Sequence, residues 1–314
     1  MTAMTADVLA AWGLQDAECL FVAGRENQVF RVTAATGRYA LRIRRPGYRD
    51  EGELLSELAW LGEMDRAGLS VPAPVPSLAG RMLERVGDVV ADAVTWLPGR
   101  PMGKSRIPLD LADRTGAFRA LGAEMARLHL ACDAWDLPAD FRRCRWDVDG
   151  LVGEAPVWGA FWRNPTLDEG TRALFLAFRD AVRSRLAGGG PEFGLIHADL
   201  VRENVLVDGS VIRMIDFDDG GFGYRLFDLA TVLLKNRDEP DYPALKGALI
   251  DGYRGSKPLD LSQLDLFIAL RAATYVGWIV PRMDEPGGAE RNARFIEEAR
   301  GLCRAYLENS ECRA

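Results

Sequence analysis

His197, Asp199, Asn204 and Asp216 are the side chains of this sequence best suited to chemistry, and they fall within "GLIHADLVRENVLVDGSVIRMIDFDDGG", residues 194–221. Two apolar runs of strand type end in charges there, where a buried strand has no use for them. Phosphoryl transfer asks a protein for a base beside the attacking hydroxyl and for divalent cations that neutralise the β- and γ-phosphates. Asp199 can supply the base. Asn204 and Asp216 offer hard oxygens of the kind Mg²⁺ accepts. The plainer alternative is a surface hairpin with solvated charges at its turn. Four agreeing positions, one of them half of the histidine supply, outweigh it.

The elements that must position these groups read in two blocks. After a helix near residues 5–12, "CLFVAG", "QVFRVTA" and "RYALRIR" are short β-type runs separated by turns. "DEGELLSELAWLGEMDRAG" places Leu54, Leu55, Leu58, Leu61 and Met64 at helical spacing, and "VPAPVP" cannot continue that helix. "GRMLERV" and "VVADAVTWL" follow as a hairpin joined by Gly-Asp. Beyond "PGRP" (98–101) helices take over, in the amphipathic "LADRTGAFRALGAEMARLHLAC" and "TLDEGTRALFLAFRDAVRSRLAGG" and again from "LFDLATVLLKN" through "LDLFIALRAATYVGWIV" to "NARFIEEARGLCRAYLEN". The motif stretch adds a pair of short strands. The expected fold is α+β and bilobal: residues 1–97 a small antiparallel β-sheet N-lobe with one helix, residues 98–314 a larger, mainly helical C-lobe.

Composition excludes several classes. The 314 residues carry a net charge of −7, which argues against a nucleic-acid partner. Five scattered cysteines without a CxxC spacing, and only two histidines, argue against structural zinc and predict unpaired thiols in a reducing compartment. The N-terminus lacks the pattern of a signal peptide. The longest apolar stretch, "LDLFIALRAATYVGWIV", is broken by Arg271 and is short for a membrane span. A cytoplasmic chain without a membrane partner is expected; oligomeric state is left open.

His197-x-Asp199-Leu200-x-x-x-Asn204 matches the protein-kinase catalytic-loop pattern H-x-D-L-x-x-x-N, with Ala198 in place of the second-position Arg. Asp216-Phe217-Asp218 stands where the metal-binding D-F-G is expected. With "ALRIRRPGYRDEGELLSELAWL", "VPAPVP" and "IDFDDGGFGYRLFDLA", the chain resembles the aminoglycoside phosphotransferase and choline kinase superfamily of protein-kinase-like small-molecule kinases. It looks closest to the branch of type II homoserine kinases and the bacterial stress-response kinase.

That resemblance implies ATP and Mg²⁺ as cofactors and a small hydroxylated molecule as acceptor. It makes Asp199 the catalytic base and Asn204 and Asp216 the metal ligands. Gly24 and Asn27, in Gly24-Arg25-Glu26-Asn27-Gln28, belong to the loop over the phosphates. Arg42 takes the place of the phosphate-binding Lys, as in choline kinases. Glu57 is its ion-pair partner, with Glu53 as the rival. Thr95, Trp96 and Leu97 border the adenine through backbone groups, and Asp228 buttresses the catalytic loop.

Other signals carry less. "GRPMGKS" (99–105) is one residue short of a Walker A loop and precedes Arg106-Ile107-Pro108, which opposes a helix. His129 reads as a core histidine. Asp218 and Asp219 contact metal or acceptor, or form a solvated turn. Trp158, Phe161 and Trp162 line an acceptor pocket or pack as core, the latter favoured. Alternatives to a small-molecule kinase are a Ser/Thr protein kinase of the stress-response type and a non-catalytic nucleotide-binding module. Only eleven residues separate Asp216 from Asp228, little room for a peptide-seating segment.

Overall fold

The computed structural model describes residues 3–24 and 27–311. Arg25 and Glu26 of the expected phosphate loop, and Cys312, lie outside the described residues. In chain order the elements are α1 (Ala3–Ala10), β1 (Glu18–Gly24), β2 (Gln28–Ala34), β3 (Gly37–Ile43), α2 (Glu51–Arg66), β4 (Pro74–Val75), β5 (Glu84–Val86), β6 (Val89–Thr95) and β7 (Arg100–Pro101). There follow α3 (Arg114–Ala134), β8 (Arg145–Trp146), α4 (Val148–Val152), α5 (Glu169–Ala187), β9 (Phe193–Ile196), β10 (Val205–Asp208), β11 (Val211–Met214) and β12 (Gly221–Tyr224). Helices α6 (Arg225–Leu234), α7 (Tyr242–Arg254), α8 (Leu264–Trp278) and α9 (Gly288–Glu311) complete the chain. No described helix is long and apolar enough to cross a membrane. Cys19, Cys132, Cys144 and Cys303 are free thiols.

The chain divides into two compact units: residues 1–100, 134–143 and 205–218, and residues 101–133, 144–204 and 219–314. The first unit is built on an antiparallel sheet of order β1-β2-β3-β6-β4, with β5 on β6. Strand alternation puts Val32, Leu41, Ala91 and Ala93 in a core cluster with Val8, Leu9 and Trp12 from α1 and the residues after it. The intervening residues Arg42 and Asp92, opposite each other in register on β3 and β6, therefore project to the other face. Helix α2 begins with a capping box: Glu53 N donates to Asp50 Oδ1 at 2.9 Å, and Asp50 N donates to Glu53 Oε2 at 3.2 Å. Its buried residues are Leu54, Ser56, Leu58, Trp60, Leu61 and Met64, plus one carboxylate, Glu57.

Two expected elements differ from what forms. The strand expected over 80–86 shrinks to Glu84–Val86, because Ser77 Oγ accepts from Ala79 N and Arg81 N and Gly80 turns at φ +76°. The motif stretch holds β9, β10 and β11 and runs into β12, rather than forming two strands. β10 pairs antiparallel with β11, whereas β9 pairs with β12. The Asp199–Asn204 loop thus leaves β9 of one sheet and enters β10 of another, and is no hairpin turn.

The second unit is helical around the small β8-β12-β9 sheet. Helices α3 and α7 meet backbone to backbone: a Cβ on Gly122 would fall inside the Leu249 carbonyl, and one on Gly252 inside the Arg119 carbonyl. Close approach of this kind requires glycine at both points. Gly122→Ala is expected to cost about 2–3 kcal/mol, since the two helices must part to admit the methyl. Urea unfolding measures it; a loss under about 0.5 kcal/mol would show that the helices separate without strain.

Candidate active site

In the first unit, the buried face of β3 carries an arginine network. Arg42 Nη1 donates to Glu57 Oε1 at 2.7 Å and its Nε to Asp92 Oδ1 at 2.6 Å. Arg44, two residues on and therefore on the same face, donates to Asp92 Oδ2 at 2.5 Å, Glu57 Oε1 at 3.1 Å and Asp218 Oδ1 at 3.3 Å. Arg143 Nη1 lies 3.7 Å from Glu57 Oε2, and its Nη2 donates to the carbonyls of Phe217 and Asp218 at 2.8 and 2.6 Å. Burial alone would raise the Glu57 pKa, but Arg44, Arg42 and Arg143 outweigh it and hold the carboxyl well below its usual range. Glu57, not Glu53, is the residue that meets Arg42; Glu53 is engaged at the helix cap.

The sequence reading missed Asp92, Arg44 and Arg143. Asp92 left a signal, an acidic residue in the middle of the apolar strand "VVADAV". Arg143 left none, because its partner Glu57 is 86 residues away. One nitrogen of the network, Arg42 Nη2, is buried without a hydrogen-bond partner. A buried donor of this kind fits an anionic oxygen such as that of a phosphate.

Other expected nucleotide contacts are distributed around this unit. Gly24 ends β1 opposite Gln28, and Asn27 Oδ1 accepts from Arg45 N at 3.2 Å. Thr95 N and Trp96 N already donate to the carbonyls of Ala73 and Arg38, and Thr95 Oγ1 accepts from Ala73 N. Leu97 N makes no such bond among the described residues. Asp216 follows β11 at φ +67° with its side chain exposed. Phe217 is buried edge-on against Trp60.

In the second unit, Asp228 governs the catalytic loop. Its carboxylate accepts from His197 N at 2.9 Å, Ala198 N at 2.6 Å and His129 Nε2 at 3.1 Å. His129 Nδ1 is in turn 2.7 Å from Tyr253 Oη, so this histidine is a fully partnered core group. Burial pushes the Asp228 pKa up, yet His129 and the loop amides overcome it and leave it below the ordinary value. Ala198 sits at φ +65°, a conformation that non-glycine residues adopt only when their surroundings over-determine it. Asp199 N donates to His197 Nδ1 at 3.4 Å.

Beyond the turn, Arg202 is buried and holds the short 3₁₀ segment Arg202–Asn204, donating to Asn236 Oδ1, Glu239 Oε1 and the Ile107 carbonyl at 2.9, 2.7 and 2.6 Å. Asn204 Nδ2 then reaches the Asp199 carbonyl at 2.9 Å and Asp199 Oδ2 at 3.2 Å. With its amide nitrogen so anchored, Asn204 keeps Oδ1 as an acceptor, the kind of oxygen that could hold a metal. Asp199 is part-exposed; burial raises its pKa against the opposing pull of Arg271 and Lys235.

Asp218 and Asp219 do not form a solvated turn. Asp218 is buried on Arg44, and in the second unit Asp219 accepts from Trp146 Nε1 at 2.9 Å and Trp158 Nε1 at 3.3 Å. Trp158, Phe161 and Trp162 are core residues, as the plainer reading had it. Their neighbourhood holds its own cations: Arg271 Cζ lies 4.2 Å from the Trp158 ring centroid, Arg179 Cζ 4.2 Å from Trp162, and Lys235 Nζ 3.6 Å from Tyr275. Burial and the charge of Arg271 push the Lys235 pKa down to about 8. "GRPMGKS" leads into no helix, in keeping with its rejection as a phosphate loop.

Glu57 and Asp228 both titrate lower in the folded chain than the ordinary carboxyl values near 4, so the folded state binds fewer protons. Their contribution to stability is complete above those values and is lost as pH falls through the folded ones. The urea midpoint should therefore drop on acidification below about pH 4, and Glu57→Gln should flatten that drop. At pH 7 the same substitution is expected to cost about 3–5 kcal/mol, because buried Arg42 and Arg44 lose their shared counter-charge. An unchanged acid limb in the variant would dismiss Glu57 as its source.

Residues 19–267 match the APH family, the phosphotransferase enzyme family. A homoserine kinase of Neisseria meningitidis serogroup B is 30% identical over 272 residues, covering 83% of this chain and 81% of that one. The structure of a microcompartment-associated aminopropanol kinase superposes with a TM-score of 0.83 at 25% identity, over 98% of this chain and 97% of the other. An amicoumacin kinase in complex with AMP-PNP, Ca²⁺ and Ami gives a TM-score of 0.78 at 22% identity, over 95% and 92% of the two chains, a likeness of fold. With the braced H-x-D loop, the Arg42–Glu57 pair and a match over most of its length, this chain belongs to the APH phosphotransferase family and is an enzyme of the kinase type.

Proposed function

We propose that the protein transfers the γ-phosphoryl group of ATP, with Mg²⁺, to a hydroxyl of a small molecule. The observation that carries this reading is the Asp199–Asn204 pair, held at 3.2 Å on a loop whose backbone is bound by Asp228. A base must sit at a defined place beside the acceptor hydroxyl, and a braced loop supplies that place. In this reading Asp199 takes the hydroxyl proton as the new O–P bond forms. ATP supplies the phosphoryl group, and Mg²⁺ offsets charge on its phosphates. Asn204 Oδ1 and the Asp216 carboxylate are the protein oxygens for the metal. Arg42 Nη2 is the donor for a phosphate oxygen, Gly24 and Asn27 lie over the phosphates, and the Thr95–Leu97 segment borders the adenine. A cytoplasmic location agrees with a reaction that draws on ATP.

The named relatives phosphorylate small molecules: homoserine, aminopropanol and amicoumacin. They support a small hydroxylated acceptor for this chain too. The aromatic rings near Asp199 argue against recognition through an open aromatic cage. Their cation-binding positions are taken by Arg271 and Lys235.

Acceptor-dependent ADP release, screened with Mg·ATP over homoserine, amino alcohols and aminoglycosides, tests the reading. Asp199→Asn should lower the acceptor-dependent rate by at least about a hundredfold, with nucleotide binding retained. Phosphorylation of protein with silence across the small-molecule panel would favour a protein kinase. Nucleotide binding indifferent to Asp199→Asn, without turnover, would favour a binding module.

A further inference from the structure

Helix α8 is apolar through most of its length, yet it carries Arg271, whose side chain is 0% exposed. A guanidinium placed that deep is costly unless it is paired and packed. Its Nη2 donates to Asp199 Oδ1 at 2.6 Å and to Tyr275 Oη, one turn along α8, at 2.9 Å. The guanidinium carbon lies 4.2, 4.4 and 5.1 Å from the ring centroids of Trp158, Tyr275 and Phe227. Nε and Nη1 have no hydrogen-bond acceptor. Aromatic faces around the cation, rather than carboxylates, thus leave Asp199 as its one ion-pair partner among the described residues.

Asp199 is thereby held from two sides. Arg271 takes Oδ1 and Asn204 Nδ2 takes Oδ2, while the side chain stays 23% exposed. Each carboxylate oxygen has two acceptor sites, so both clamps leave room for an incoming hydroxyl. Removing Arg271 would free χ1 and χ2 of Asp199, with only the longer Asn204 bond remaining. The aromatic packing fixes the guanidinium plane in turn.

Resting on the reading of Asp199 as the base, we propose that Arg271 is a positioning residue for the phosphotransfer reaction: it fixes the Asp199 carboxylate at the orientation from which it meets the acceptor hydroxyl. It acts through Asp199 and takes no part in holding the nucleotide.

The test compares Arg271→Met, Arg271→Lys and Asp199→Asn with the parent enzyme, using the acceptor that the ADP-release screen identifies. Arg271→Met keeps an unbranched stem against the rings. It should lower kcat by about a hundredfold, the scale of a misplaced catalytic group, with the KM for ATP within about twofold. Arg271→Lys, which restores a donor toward Oδ1, should recover at least about tenfold of that loss. A crystal structure of the methionine variant should show Asp199 turned from its parent rotamer. A parent-like kcat in folded Arg271→Met would overturn the proposal. So would a loss that follows the unfolded fraction in thermal melts, with no recovery by lysine. Should the methionine variant fail to fold, the lysine variant decides: parent-like Asp199 geometry with a lost kcat would sink the idea. Unimpaired turnover in Asp199→Asn would instead remove the base assignment itself, a separate failure.

Discussion

A carboxylate withdrawn from water has to be given donors, and the buried Asp228 is where this constraint organises the second unit. Its two oxygens collect the amides of His197 and Ala198 and one ring nitrogen of His129. The chain can adopt positive φ at Ala198 because those amides have somewhere to go. Asp199 follows the strained residue, so its place depends on a carboxylate nearly thirty residues later in the sequence. Arg202 and Asn204 extend the same logic around the turn, each satisfying a buried polar group while setting the next one.

The first unit obeys the constraint with the signs distributed differently. Three arginines surround Glu57 and Asp92, and strand alternation delivers two of them, Arg42 and Arg44, to one face. A planar fork explains why arginine rather than lysine stands at residue 42. One nitrogen meets Asp92, a second meets Glu57, and a third stays uncommitted. A single ammonium could not divide itself among three directions that far apart.

Aromatic residues have a related task in the second unit. Trp158, Phe227 and Tyr275 surround a cation, and that cation belongs to the chain. Rings offer a buried guanidinium attraction without competing for its hydrogen bonds. Arg271 therefore keeps Nη2 aimed at Asp199 and Tyr275 instead of surrendering it to a closer carboxylate.

The sequence by itself determined the reaction class, because the H-x-D-L-x-x-x-N spacing and Asp216 are local patterns whose residue types name their chemistry before any distant partner is known. It also determined the β-rich block followed by helices, since period-2 and period-3.6 patterns are local properties. Glu57 was legible only as one of two acidic residues a turn apart; the capping of α2 decided between them by engaging Glu53. Asp92 carried a signal in its apolar strand that pairing with β3 explains. Arg271 read as an interruption of an apolar run, and Arg143 as one arginine among many. Their partners, Asp199 and Glu57, are 72 and 86 residues away. No local pattern records that an arginine on one helix will be sealed against three rings and aimed at one carboxylate. Only the tertiary structure decides this, because the burial that makes the pairing obligatory does not exist until the helices pack.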